Sequence, residues 1–186
     1  MKIPIHSTRG KALIIVDIQP AFLNDRNNYI IDNTLKLINS IHYDLYVETV
    51  FYTKEGSLWE LQQKWSLLKD DKTHTVEQIT SALKDQELIS IEKETKSVFK
   101  GNKPLFDILK QANIEEVHIV GVDSNDCVLA SAYEAFDLGF VTYVIEECCQ
   151  SSSSDELHTS AIELLRHQHM TNNSCIEDIE MKEINL

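Results

Sequence analysis

Three residues of complementary chemistry stand where apolar, β-branched runs end. Asp17 closes "ALIIVD", Lys93 closes "LISIEK", and Cys127 lies just past "VHIVGV" (117–122), where the pattern changes from strand to helix. A thiol at a helix N-terminus is favoured as thiolate by the dipole and by unpaired backbone N–H groups. A carboxylate can take its proton, an ammonium can hold both negative partners, and the same N–H groups suit an oxyanion. Together they describe an acyl-transfer site. Each also has a plainer reading: a turn carboxylate, a solvated lysine, and a core thiol, since free cysteine is among the most buried residues. Lys96, Lys100 and Lys103 follow closely enough to compete with Lys93 for its role.

The elements that must position these residues alternate along the chain. Strands are expected at 11–19, 45–53, 87–93, 116–122 and 140–147, with an edge strand at 174–180. Helical spacing marks 32–43, 57–69, 76–83, 103–113, 127–139 and 154–168. Asp32 or Asn33 is the expected cap of the first helix. Ser57 with Glu60 forms a capping box, Pro104 fits a first turn, and Gly139 ends the 127–139 helix. Strand–helix alternation of this kind builds βαβ units. The expected fold is therefore α/β, a single-domain three-layer α/β/α over residues 1–186 with a mainly parallel, Rossmann-like sheet. Ligands of such sheets bind beyond the carboxyl ends of the strands at the topological switch point. That rule directs attention to Asp17, Thr53, Lys93, the 121–127 loop, Glu146 and Glu147.

Composition narrows the function. At 186 residues with 42% hydrophobic content the chain can bury one good core, and a net charge of −13 argues against a nucleic-acid surface. The longest apolar run, "ALIIV", is too short to span a bilayer, and "MKIPIHSTRGK" has no secretory h-region, so a cytoplasmic protein without membrane partners is expected. Cys127, Cys148, Cys149 and Cys175 include no C-x-x-C pair, and no disulfide framework is expected. "HQH" (167–169) places its rings at i, i+2 on a helix end, where they diverge, and no metal is assigned there.

"ALIIVDIQPAFL", "IEKETKSVF" and "VGVDSNDCVLASAYEAFDLGF", in this order and spacing, resemble the isochorismatase-like cysteine hydrolases, whose relatives include nicotinamidases, carbamoylsarcosine amidases and ureidoacrylate amidohydrolases. The first segment is similar to the family's D-x-Q-x-x-F strand, the second to the stretch in which a catalytic lysine precedes a Ser-Ala-Phe-like triplet (here Ser97, Val98, Phe99), and the third to its Cys loop and helix. The resemblance implies Asp17, Lys93 and Cys127 as catalytic triad, a cis peptide at Val122–Asp123, and an oxyanion hole from the Asp123 and Cys127 amides. It implies Phe22 as a pocket residue, while helical spacing reads Trp59 and Trp65 as helix-face residues, with Trp65 also a pocket candidate. It also implies a homodimer or homotetramer, with the "SLWELQQKWSLL" and "CVLASAYEAF" faces to bury. Nicotinamidases of the family carry a metal-binding Asp-x-His after the second strand. Here "FYTKEGSLWELQQKW" holds no histidine, so no metal or other cofactor is expected. Position 123, commonly small in the family, is an aspartate that would alter the hole or meet a substrate cation. Isochorismatases proper lack the cysteine, so Cys127 points to C–N cleavage of a small amide, ureide or carbamoyl compound. The alternatives are a nicotinamidase/pyrazinamidase with an atypical or absent metal site and a silent interaction protein on the same fold.

Overall fold

The computed structural model describes residues 9–172, so the expected strand at 174–180 and Cys175 lie outside the described residues. Strand β1 (Gly10–Val16) shows how the layers arise. Successive side chains of a strand point to opposite faces. Accordingly Ala12, Ile14 and Val16 enter one core, and Leu13 and Ile15 the other. β1 pairs in parallel with β2 (Leu45–Phe51) and β4 (Ile114–Gly121), β2 with β3 (Leu88–Lys93), and β4 with β5 (Val141–Cys149). The result is one five-stranded, all-parallel sheet in the order β3-β2-β1-β4-β5. Helices α1 (Tyr29–Ser40) and α3 (Glu77–Ala82) cover the face of Leu13 and Ile15. Helices α4 (Leu105–Gln111), α5 (Leu129–Asp137) and α6 (Asp155–His167) cover the other. This is a three-layer α/β/α fold, as expected, whose strand order reverses between β1 and β4.

At that switch point the backbones nearly touch. Val122 N–H donates to Val16 O at 3.0 Å. A Cβ at Gly121 would lie 2.0 Å from Val16 O, and the residue has φ +122°. Only glycine permits both the approach and the angle.

Several expectations shift. Helix α2 covers only Leu58–Gln63, because Lys64 adopts a left-handed conformation (φ 56°) that ends it. Ser57 Oγ caps it by accepting from Glu60 N–H, but the Glu60 carboxylate reaches Gly56 N–H instead of Ser57. Helix α1 begins earlier than its apolar spacing suggested: Asn28 is its N-cap, Asp32 lies in its first turn, and Asn33 donates to Glu147 O. Pro104 sits at the N-cap of α4, and β5 runs on through Cys148 and Cys149, both fully buried.

A buried polar cluster sits in β4 well away from the strand ends. His118, 2% exposed, is held by Tyr43 Oη at Nδ1 (2.8 Å) and by Glu116 Oε1 at Nε2 (2.9 Å), with Lys11 closing the group on Glu116. Burial pushes its pKa below the ordinary 6.5, although Glu116 pulls upward. The unfolded chain therefore takes the proton more readily, and this contribution to stability is lost as pH falls through 6.5. His118→Gln should flatten the difference in urea-unfolding free energy between about pH 7.5 and pH 5.5. An unchanged difference would assign the acid sensitivity elsewhere.

Candidate active site

Asp17 follows β1 directly, at φ 51°, a left-handed angle that non-glycine residues adopt where surrounding contacts enforce it. Thr49 of β2 supplies one such contact, accepting from Asp17 N–H (3.1 Å) and donating to Asp17 Oδ1 (2.7 Å). Lys93, last residue of β3, reaches across β2 with a side chain 0% exposed. Its Nζ donates to Asp17 Oδ2 at 2.6 Å, Thr95 O at 3.1 Å and Cys127 Sγ at 3.4 Å, and lies 4.9 Å from the Phe51 ring centroid. All three N–H bonds of the ammonium are thereby used. The structure thus brings Asp17, Lys93 and Cys127 into one contact group from three separate elements.

The electrostatics revise one expectation. Burial pulls the Lys93 ammonium down, yet the Asp17 and Cys127 charges outweigh it and leave it raised. Cys127 goes the other way from a helix-end thiolate. Burial, and then the Asp17 carboxylate, push its thiol well above the ordinary 9.0, with Lys93 opposing. The cysteine sits inside a turn of π helix (Ser124–Val128) that leads into α5, and is 7% exposed. Desolvation there favours the neutral thiol, which faces the Asp17 carboxylate.

The Cys127 loop is fastened on several sides. The Val122–Asp123 peptide is cis. Asp123 O accepts from the N–H groups of Asp126 and Val128, whereas Asp123 N–H meets no protein acceptor among the described residues. Ser131 Oγ donates to Cys127 O (2.6 Å) and accepts from Val98 N–H (3.1 Å), which ties the Ser97–Phe99 triplet to the cysteine helix. Gln19 grips Phe51 at both backbone groups, at 2.6 and 3.1 Å, locking the continuation of β1 to the end of β2. Thr49 and Ser131 were not singled out from the sequence, whereas Gln19 is the glutamine of the D-x-Q-x-x-F match. Within "LYVETVF" both Glu48 and Thr49 interrupt the apolar run, and the pattern alone does not set Thr49 apart.

A cavity of about 590 Å³ opens above this group. Asp17, Cys127, Val122 and Asp123 line it together with four aromatic rings, Phe22, Phe51, Trp59 and Trp65. Ring centroids lie 5.1 Å apart for Phe51–Trp59, 6.0 Å for Phe51–Trp65 and 6.2 Å for Phe22–Trp65. Trp65 is there because α2 stops early, and Thr53 holds the following stretch by exchanging hydrogen bonds with Leu67. Trp59, read from spacing as a helix-face residue, is a wall residue whose Nε1 donates to Glu94 O. The Asp123 carboxylate accepts from Ser152 N–H and Oγ.

The other candidates lie elsewhere. Lys96 bonds Asp126, Lys100 pairs with Glu134 on the surface at 2.8 Å, and Lys103 is exposed. Glu146 pairs with Arg166 of α6, and His167 and His169 are exposed. Cys148 and Cys149 pack into opposite cores.

The isochorismatase domain family matches residues 11–176. Among curated protein sequences none matches significantly. Similar solved structures include a pyrazinamidase of Pyrococcus horikoshii in complex with zinc (22% identity, TM-score 0.70, covering 88% of this chain and 97% of that one). A nicotinamidase from Staphylococcus aureus (23%, 0.69, 84% and 92%) and an isochorismatase family protein from Desulfovibrio vulgaris (15%, 0.75, 94% and 100%) are also similar. At these identities the likeness speaks for the fold. The described residues offer no zinc site. Among the described residues no group of three or more His, Cys, Asp or Glu side chains is arranged to hold a metal. After β2 the chain offers Tyr52, bonded to Glu92, and Thr53, bonded to Leu67, with no imidazole.

Thr49→Val keeps shape but removes both hydrogen bonds to Asp17. Two buried polar groups then lose their partner, which costs on the order of 1–3 kcal/mol. Urea unfolding should show that loss, and an unchanged unfolding free energy would mean that Lys93 alone holds Asp17 in place.

Proposed function

The chain belongs to the isochorismatase domain family, and we propose that it is a metal-independent cysteine hydrolase cleaving a C–N bond of a small amide, ureide or carbamoyl compound. The observation that carries this reading is the contact group itself. A carboxylate, an ammonium and a thiol, all buried, meet beneath a cavity large enough for a small substrate. As Cys127 Sγ attacks the carbonyl carbon, Asp17 accepts the thiol proton. The oxyanion sits on the backbone amides of Asp123 and Cys127. When the tetrahedral species collapses, Asp17 gives that proton to the departing nitrogen, leaving a thioester on Cys127. Water enters, Asp17 takes one of its protons, and hydroxide adds to the thioester carbonyl. Collapse expels the sulfur, which regains the proton from Asp17 and releases the carboxylic or carbamic acid. Lys93 remains charged throughout, neutralising whichever partner is anionic.

The same reading takes the chain as one hydrolase domain working in the cytoplasm on a small molecule, with no nucleic-acid partner. Self-association also belongs to it. Leu58 and Leu61 of α2 and Phe136 of α5 are 73%, 60% and 61% exposed, an apolar surface that a second copy would cover. Light scattering at micromolar concentration should give a dimer or tetramer mass. A monomer mass would remove the oligomer from the proposal.

The lysines separate this function from a silent fold. Lys93→Ala should reduce turnover of a small-amide panel by on the order of 10²–10³. It should also lower the melting temperature, because the buried Asp17 carboxylate loses its counter-charge. Lys100→Ala, on an exposed pair, should change neither. Mass spectrometry of a quenched reaction should find the acyl adduct on Cys127, and Cys127→Ala should abolish it. Activity that survives Lys93→Ala but not Lys100→Ala would overturn the assignment.

A further inference from the structure

Asp123 is a carboxylate in the wall of the cavity with no cationic partner among the described residues. Its two oxygens accept from the Ser152 N–H and hydroxyl, both neutral donors. The remaining lone pairs of a carboxylate stay available. Buried charges are ordinarily paired, so a carboxylate held this way is an incomplete arrangement. Burial foremost pushes its carboxyl above the ordinary carboxylate value, and the nearby Asp126 and Asp17 add to the effect against the Ser152 hydrogen bonds.

The rest of the lining has the same polarity. Asp17, Asp123 and Asp126 face the cavity, and none of its described lining residues is Lys, Arg or His. Lys93 offers a substrate nothing, since its donors are spent on Asp17, Thr95 and Cys127. Lys96 neutralises Asp126 and rests 4.9 Å from the Trp59 ring centroid. Here the chain itself places an ammonium between an aspartate and an aromatic face. The interior of the cavity repeats that pairing, Asp123 together with Phe22, Phe51, Trp59 and Trp65, with no ammonium supplied.

We propose that the non-reacting end of the substrate carries a positive charge, an ammonium or comparable cation that docks against Asp123 within the aromatic walls, and that amides bearing a carboxylate are excluded. The proposal rests on the reading of this cavity as the hydrolase's substrate site. An aromatic face attracts a desolvated cation, and a carboxylate completes the recognition. Lys93 and Lys96 already neutralise Asp17 and Asp126, so an anionic group would meet the uncompensated Asp123 with no cation left to receive it, and a like-charge encounter in a poorly solvated cavity is unfavourable.

The test uses three ureas of matched length: (2-aminoethyl)urea, cationic; propylurea, neutral; and N-carbamoylglycine, anionic. Binding is measured on Cys127→Ala protein, which cannot form the acyl-enzyme, so the ranking is independent of catalysis. The two tryptophans of the chain, Trp59 and Trp65, both line the cavity, so intrinsic fluorescence reports occupancy directly. The cationic urea should bind on the order of tenfold tighter than the neutral one, with the anion weakest. In Asp123→Asn that advantage should vanish while propylurea binding persists. Equal or tighter binding of propylurea or N-carbamoylglycine, an advantage that survives Asp123→Asn, or no fluorescence response to any of the three overturns the proposal. If Asp123→Asn fails to fold, the ranking on the Cys127→Ala protein decides alone. Failure of the hydrolase reading looks different: the cationic urea binds in the expected order, yet unmodified protein hydrolyses nothing and Cys127 carries no adduct. Acylation of Cys127 by the anionic urea would keep the hydrolase and remove the charge preference.

Discussion

An ammonium and a carboxylate 2.6 Å apart, with side chains 0% and 2% exposed, lie beneath the carboxyl ends of the sheet. Taking two such charges out of water is costly, and their attraction offsets the cost only when geometry is good and the remaining hydrogen-bonding capacity is filled. Much of the surrounding structure can be understood as meeting that condition. Thr49 fills one oxygen of Asp17 and its amide. Thr95 O and Cys127 Sγ fill the two other donors of Lys93. Gln19 clamps the segments that carry Asp17 and Phe51, so that the ring stays over the ammonium. Removal of either charge would strand the other, at about 3–5 kcal/mol.

The pair also governs the cysteine. Beside a carboxylate alone, a fully buried thiol would be held still further from ionisation. Beside an ammonium alone the thiolate would be favoured relative to that state. With both in contact, the proton stays on sulfur at rest while an acceptor and a stabilising charge are already in place.

The aromatic walls depend on a small backbone event. Lys64 in the left-handed region ends α2 after six residues, and the chain returns Trp65 towards Phe22 and Phe51. Continued helix would have carried that ring away from the strand ends. The cavity above a polar floor is thereby given an apolar rim, which strengthens each electrostatic contact inside it.

Local pattern in the chain already determined a good deal. Period-two and period-3.6 spacing follow from the backbone geometry of strands and helices, so the order of elements and the α/β class were legible. So were the strand-end positions of Asp17 and Lys93 and the turn position of Cys127, because each lies where an apolar run stops. Helix caps and the end of α2 were read less well, since a left-handed residue such as Lys64 carries no signature when it is not glycine. What only the tertiary structure decided is everything that depends on one strand lying beside another. It gave the physical reason for separating Lys93 from Lys96 and Lys100, which the residue pattern left open and only the family resemblance distinguished: parallel pairing of Phe51 with Lys93 aims that side chain, and no later one, across β2 at Asp17. It reversed the expected acidity of Cys127, because desolvation is a property of the packed core and not of a helix end. It also left Asp123 without a cation, because charge neutralisation depends on which residues meet in space, and sequence distance does not report that.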